Sequence, residues 1–411
     1  MLPLVLALAG ASAASADDGG QSWIPFARNS GADQAFDHSF AKQWEANPPK
    51  GFPTLSPENA KALAAAIKHY AAVVEKGGWR TVPEGMLQSG NIGESVAILR
   101  ERLALSGDLR PGESSGTFDV FDAGLERGVK RFQASNGLTP TGIVDKRTLA
   151  ALNVPASARL KQLRNNVARL AEFSRLKDKR YIVVNIPSAQ IEAVEGDRVV
   201  SRHAGVVGKV DRPTPLLKSE IHELNFNPVW HLPPTVIEKD LVPKGADMAK
   251  RGQDVLAKYK IDAYGGDGRK LESGKINWSS GVARGLTYRQ QPGPENPLGF
   301  VKINFHNSHS VYMHDTPSQT LFGRNFRAAS SGCVRISGID ELATWLMAEQ
   351  GWTQERVLAM KKSGERLDVK LKKPVPLYFV YITAWATEDG VIQFRRDIYS
   401  KDGLDALASA Y

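Results

Sequence analysis

The only cysteine in 411 residues, Cys333, stands in the stretch AASSGCVRI. A thiol attacks only as thiolate, and a reference pKa of about 8.5 leaves a few per cent ionised at neutral pH. To act as a nucleophile it needs a base, a positive setting or backbone N–H donors. Histidine is the usual base, and His306, His309 and His314 lie upstream. His314 closes the β-rich run SVYMHD. A strand end there can hold the ring rigidly while the following loop returns the cysteine beside it. Gly332 has no Cβ, which permits a tight turn and close approach of a substrate. The N–H groups of Gly332 and Cys333 can then converge on an acyl oxygen as an oxyanion hole. Arg335 can hold an acidic group, steady the loop, or serve as a structural ion-pair partner. Read together, these types and spacings suit acyl transfer through a cysteine. Two other readings use the same residues. One is a buried, inert cysteine, the commonest fate of a free thiol without further context. The other is a zinc site on the three histidines, although their spacing is not the H-E-x-x-H helical pattern.

The elements that must position these groups fall into four stretches. Ser56-Pro57-Glu58 opens an Ala-rich helix, with Ser56 as N-cap and Pro57 at the first helical position, that runs to Val74 before Gly77-Gly78. Residues 93–155 read as a small helical module. Val96, Leu99 and Leu103 recur at helical spacing, Asp122 caps a helix bearing Leu125, Val129 and Phe132, and Asp145 caps a shorter one. Residues 156–177 form an amphipathic connecting helix. Beyond them the texture turns to short β-rich runs with Gly-Asp turns, residues 339–360 are helical, and VPLYFVYITAWATEDGVIQF gives two strands around Asp389-Gly390. Residues 231–297 interrupt the β pattern with helical pieces and Pro-rich flanks. This insertion reads either as a lid over one face of the β domain or as a solvent-facing excursion. Trp278, Trp352 and Trp385 read as core.

The chain is too long for one ordinary core, so several domains are expected. Its net charge of +9 and pI of about 9.4 favour an anionic partner. The basic residues are spread rather than clustered, and no Arg/aromatic nucleic-acid motif is present, so nucleic acid is not the expected partner. Leu2 to Ala9 is a short apolar run and Ala14-Ser15-Ala16 an A-x-A-type cleavage site, as at the end of a secretory signal peptide. The run is too short to span a bilayer. An exported protein with one cysteine cannot form an internal disulfide, which leaves an inert residue, an intermolecular bridge or a reactive thiol.

Two stretches resemble known families. SVAILRERLALSGDL with FDAGLERGVKRFQASNGLTPTGIVDKRTLAALN is similar to the peptidoglycan-binding type-1 domain, a three-helix module. VYMHDTPSQTLFGRNFRAASSGCVRI, with FNPVWHLPPTVIEKDLVPK, INWSS, YRQQPGPENPLGFVKI and FRRDIY in the same order, resembles the L,D-transpeptidases of the YkuD type, in their large periplasmic YcbB-like branch. The resemblance implies an α+β multidomain protein. It would hold a signal-peptide remnant at 1–16, an N-terminal scaffold segment at 17–88, the peptidoglycan-binding domain at 89–155 and a connecting helix at 156–179. A mostly-β catalytic domain at 180–400 with its lid-like insertion and a C-terminal tail at 401–411 would follow. Cys333 would be the nucleophile and His314 its general base, oriented through a nearby backbone carbonyl that points to Asp315. Gly332 and Cys333 would give the oxyanion N–H groups. Tyr312, two positions before His314 and on the same side of a strand, would line the substrate pocket with Ser330, Ser331 and Arg335. No metal or organic cofactor is implied. The expected reaction takes a donor tetrapeptide stem, releases D-alanine and passes the acyl group to the diaminopimelate amine of an acceptor stem, forming a 3-3 cross-link in the periplasm of a Gram-negative bacterium. Water as acceptor would make the same site an L,D-carboxypeptidase. A non-catalytic peptidoglycan-binding protein is the competing class. The sequence departs from the branch at His231 and Ser337, where Asn is common. It does not set the oligomeric state.

Overall fold

The computed structural model describes residues 52–114, 117–387 and 390–403. The apolar run at 2–9, the A-x-A motif at 14–16, the scaffold segment up to residue 51, and residues 404–411 of the tail lie outside the described residues. Helix α1 (Pro57–Glu75) begins where Ser56 accepts the Glu58 N–H and Pro57 fills a position that needs no donor. The module that follows holds α2 (Glu94–Ser106), α3 (Ala123–Ser135) and α4 (Lys146–Leu152), the last two capped by the side chains of Asp122 and Asp145. Leu99, Leu103, Leu125, Val129 and Leu152 meet in its own small core. Helix α5 (Ala156–Ala171) then leads to the sheet and ends sooner than the sequence spacing suggests.

The large sheet contains β1 (Arg180–Asn185), β2 (Gln190–Glu195), β3 (Arg198–Gly208) and β4 (Leu217–Phe226). The insertion contributes β5 (Trp230–His231), β6 (Ile261–Tyr264), β7 (Lys270–Leu271) and β8 (Thr287–Gln290). The chain then returns through β9 (Val301–Phe305), β10 (Met313–His314), β11 (Ala328–Ser330), β12 (Val334–Ile336) and β13 (Leu367–Val380). The strand order is β11-β3-β12-β10-β9-β4-β13-β1-β2, and β2 also pairs with β3. The sheet therefore closes on itself like a barrel, with β11 added outside the closure. Met313, Val334, Ile303 and Leu224 point into its apolar core, which also takes the helices Ile339–Met347 and Gln354–Ser363. The architecture is the α+β multidomain arrangement that the sequence suggests, with a mostly-β domain beside a small helical one.

Three local expectations are corrected. The helix expected over 339–360 is two helices, broken by a short 3-10 turn and by Gly351 at φ 78°. There Trp352 leaves the helical path to stack on Phe226, with 5.1 Å between ring centroids. The run VPLYFV belongs to β13 in the large sheet, and the hairpin pairs β14 (Ala384–Ala386) with β15 (Ile392–Phe394). Asp389 of the expected turn lies outside the described residues. The insertion is more than helical pieces: β5, β8, β6 and β7 form a second sheet, and Trp278, Tyr288 and Leu241 give it a core of its own.

Candidate active site

Strands β10 and β12 run parallel, with Met313 opposite Val334 and His314 opposite Arg335. The Val334 N–H donates to the Tyr312 carbonyl at 3.1 Å, so Cys333 lies level with Tyr312. Side chains alternate along a strand. Met313 and Val334 are fully buried on the core side, which turns Tyr312, His314 and Arg335 to the other face. On the far side of β10, His314 pairs with Lys302 of β9. Lys302, His314, Tyr312 and Arg335 thus come from three adjacent strands and surround the half-buried Cys333. Lys302 was not singled out by the sequence reading. The alternation in VKINF sets only its face of the strand, and its place beside the histidine comes from the pairing of β9 with β10.

Electrostatics around the sulfur oppose one another. Burial pushes the Cys333 thiol up, while the Tyr312 backbone N–H and hydroxyl, Lys302 and Arg335 favour its anion. Lys302 sits 4.6 Å from the Tyr312 ring centroid, and burial pulls its ammonium down. Burial drives His314 to about 3, helped by the Arg335 charge, so the ring is neutral at neutral pH and can accept a proton. Its Nδ1 lies 2.5 Å from the Asp315 carbonyl, an arrangement that sets Nδ1 as the N–H and leaves Nε2 as acceptor. Burial pulls Arg335 down to about 10. Its Nε is buried without a hydrogen-bond partner, and it has no ion pair within reach among the described residues.

The loop that carries Cys333 is braced from below. Ser330, 2% exposed, donates from Oγ to the Cys333 carbonyl at 2.5 Å and accepts the Gly332 N–H at 3.1 Å. Thr214 Oγ1 donates to the Gly332 carbonyl at 2.8 Å. Gly332 adopts φ 114°, a conformation that only glycine takes easily. Two expectations change here. The Gly332 N–H is already engaged by Ser330, so it is not an available oxyanion donor in this structure. Ser330 is buried as a loop brace and does not face the substrate side. Ser331 is exposed, and its Oγ accepts from Arg212 Nη1 at 2.8 Å. The same guanidinium pairs with Asp240 of the insertion at 3.1 Å, both side chains being buried. Trp230 Nε1, on β5 where the insertion begins, donates to the Tyr312 hydroxyl at 2.8 Å. The insertion therefore packs onto the polar face that holds the cysteine.

His306 and His309 stay exposed, and His306 stacks on His222 at 4.1 Å. Among the described residues, no three His, Cys, Asp or Glu side chains assemble into a group that could hold a metal, and His306, His309 and His314 do not converge. His231 is exposed, and Ser337 accepts the Ala204 N–H.

Comparison with known proteins gives this face a family. Residues 179–372 match the YkuD family, described as the L,D-transpeptidase catalytic domain. Residues 92–152 match the "Putative peptidoglycan binding domain" family. The chain carries an L,D-transpeptidase catalytic domain and a peptidoglycan-binding domain. A curated Haemophilus influenzae protein named "Putative L,D-transpeptidase" is 32% identical over 228 residues, which are 55% of this chain and 45% of the relative. The chain therefore spans less than half the length of that relative. Among solved structures, an L,D-transpeptidase from Mycobacterium smegmatis is similar over 49% of this chain and 58% of its own, at 15% identity and a TM-score of 0.25. One from Stackebrandtia nassauensis is similar over 73% and 96%, at 14% identity and a TM-score of 0.28. Superpositions this loose add nothing to the fold described above. All the site residues named here fall within the matched residues 179–372.

Proposed function

We propose that the protein is a peptidoglycan L,D-transpeptidase that works through a Cys333 thioester. The observation that supports this best is the neutral His314 held by the Asp315 carbonyl on the same sheet face as Cys333, Tyr312, Lys302 and Arg335. The thiol and the imidazole are both neutral at rest. His314 Nε2 takes the thiol proton as sulfur attacks the donor carbonyl, and Tyr312, Lys302 and Arg335 steady the developing anion. The tetrahedral oxyanion would take the Cys333 N–H and the Tyr312 hydroxyl as donors, because Ser330 holds the Gly332 N–H. Imidazolium then protonates the leaving amine of D-alanine. The C–N bond breaks and the thioester remains. An acceptor-stem amine, deprotonated by the neutral histidine, displaces sulfur, forms a 3-3 link and regenerates the thiol. The unpartnered buried Arg335 Nε suits a carboxylate or carbonyl of the donor.

The insertion reads as a lid that favours amine over water by excluding solvent. Its contacts with Tyr312, and with Arg212 beneath Ser331, support that role. The basic charge suits an acidic polymer, and we place the protein in the periplasm of a Gram-negative cell. Chromatography and mass spectrometry of sacculi incubated with wild type and with Cys333→Ala test the reading. Muropeptide dimers and released D-alanine should vanish in the variant while sacculus binding stays. Retained dimer formation by Cys333→Ala would overturn it. Free tripeptide in place of dimers would assign the carboxypeptidase reaction instead. No turnover by either protein would leave a binding protein.

A further inference from the structure

The segment FRRDIY, residues 394–399, runs on from the end of β15 and lies beyond the matched catalytic residues 179–372. Its last residue nevertheless reaches the support of the loop that carries Cys333. The Tyr399 hydroxyl donates to the Gly208 carbonyl at the end of β3 and accepts the Thr214 N–H at 3.1 Å. The Gly208 N–H donates to Thr214 Oγ1 at 2.8 Å, and that hydroxyl gives its one hydrogen to the Gly332 carbonyl, also at 2.8 Å. The circuit is closed, because Gly208 holds the Thr214 hydroxyl directly and the Thr214 N–H through Tyr399. The backbones are tightly apposed here: a Cβ on Gly208 would lie 2.2 Å from the Arg212 carbonyl oxygen and 2.6 Å from Thr214 N. Thr214 is 2% exposed, so water does not replace a lost partner. Tyr399 is itself anchored. Its N–H donates to the Tyr381 hydroxyl at 2.8 Å, which donates to the buried Asp397 at 2.6 Å. Asp397 also accepts the N–H groups of Lys401 and Asp402, and Asp402 pairs with Arg169 of α5 at 2.7 Å.

We infer that Tyr399, acting through Thr214, is a positioning residue for the oxyanion donor of acyl transfer; the inference rests on the function proposed above. The Gly332 carbonyl and the Cys333 N–H belong to one peptide unit, which is trans and planar. A donor that fixes the carbonyl therefore fixes the direction of the N–H on the opposite side of the unit. Gly332, at φ 114° and without a side chain, gives that unit little steric restraint of its own, so hydrogen bonds must set its angle. Ser330 holds the preceding unit through the Gly332 N–H. Thr214 holds the unit that bears the oxyanion donor. Donation to the carbonyl also polarises the amide and strengthens its N–H as a donor. A threonine hydroxyl left to turn would lose its aim, and the circuit through Gly208 and Tyr399 keeps Thr214 in one setting. Burial raises the Tyr399 hydroxyl, which therefore stays protonated at neutral pH and goes on donating to Gly208.

The test separates the oxyanion from the thiol. Iodoacetamide alkylation of Cys333 needs the thiolate but forms no tetrahedral oxyanion, whereas release of D-alanine from a soluble disaccharide-tetrapeptide needs both. In the full chain, Tyr399→Phe removes the hydroxyl and keeps the ring, which stacks on Tyr381 at 5.8 Å. Its kcat for D-alanine release should fall by about tenfold with KM changed by less than about twofold, a smaller loss than the roughly 100- to 1,000-fold that follows outright removal of an oxyanion donor. Thr214→Val should fall further, by about 30-fold, and Thr214→Ser, which keeps the hydroxyl, should stay within about threefold of wild type. All three variants should alkylate at Cys333 with the wild-type pH profile, which shows that the site is folded and the thiol ionises as before. Wild-type kcat in Tyr399→Phe and Thr214→Val, a Thr214→Ser as slow as Thr214→Val, or an alkylation rate that falls in step with kcat would each overturn the inference while leaving the thioester reading intact. D-alanine release that survives in Cys333→Ala would sink the thioester reading, and this inference with it.

Discussion

The Tyr312 hydroxyl offers a direct measure of how the site ionises its thiol. It faces the sulfur, accepts from Trp230 Nε1 at 2.8 Å and is itself desolvated, with burial raising it well above its usual range. Tyr312→Phe removes one hydrogen bond to a developing anion and leaves the ring in place. A bond to a charged group contributes about 1.5–3 kcal/mol, and the loss is felt fully where water cannot replace the donor. The thiolate population at a given pH should therefore fall by about ten- to a hundredfold. The chain has a single cysteine, so the rate of iodoacetamide alkylation reports on Cys333 without correction for other thiols. Burial already raises the thiol, and loss of a donor to the anion raises it further. The alkylation profile should move to higher pH and the rate at neutral pH should drop. Lys302→Met should move it the same way. The double variant should fall short of the sum, because Lys302 lies 4.6 Å from the Tyr312 ring and the two share the sulfur. A profile unchanged, or shifted to lower pH, in Tyr312→Phe would refute the reasoning.

Three further outcomes are expected. Gly299 has φ 59°, and a Cβ there would lie 2.1 Å from Asp315 Oδ2, so Gly299→Ala must displace the residue whose carbonyl holds His314; kcat should fall by more than about tenfold against a left-handed strain of about 1–2 kcal/mol in stability, and an unchanged kcat in steady-state turnover would count against the orienting role of Asp315. Asp240→Ala leaves Arg212 buried without its insertion partner and should destabilise by about 3 kcal/mol in urea unfolding and slow Cys333 alkylation, whereas exposed Asp211, 3.8 Å from the same arginine, should change stability by less than about 1 kcal/mol when replaced by Asn. Burial holds His203 at about 4 and His314 at about 3, below the reference of 6.5, so the unfolded chain takes up protons first and stability should drop as pH falls below about 6.5. Asp108, raised by burial to about 6, works in the opposite sense over part of that window. His203→Gln should make the decline between about pH 7 and pH 5 shallower in urea midpoints, and an equal slope would show that the ring does not titrate in this way.

What the sequence made legible follows from locality. Caps announce themselves within a few residues, so Ser56, Asp122 and Asp145 could be read directly and stand at their helix starts. The pairing of Tyr312 and His314 on one face needed only strand alternation. Roles that depend on what lies opposite were hidden. Ser330 reads as a pocket residue from its place in a signature, but the closure of β12 against β3 and β10 buries it beneath the loop, where its hydroxyl absorbs the Gly332 N–H. Lys302 stands next to His314 only because β9 pairs with β10, a register no local pattern reveals. Arg212 and Asp240 are 28 residues apart and meet only through the insertion's fold. The same physics explains why the proposed catalytic pair was legible while its supports were not. A nucleophile and base are recognised by residue type and by motif, whereas an electrostatic support is defined by distance alone. Lys302 and Arg335 carry like charges on either side of one sulfur, an arrangement that disfavours the resting protein and is relieved as the thiolate or an acidic substrate arrives. Such an opposition is costly for folding and useful for acyl transfer. It therefore supports the chemistry proposed for this face more firmly than the lone cysteine does.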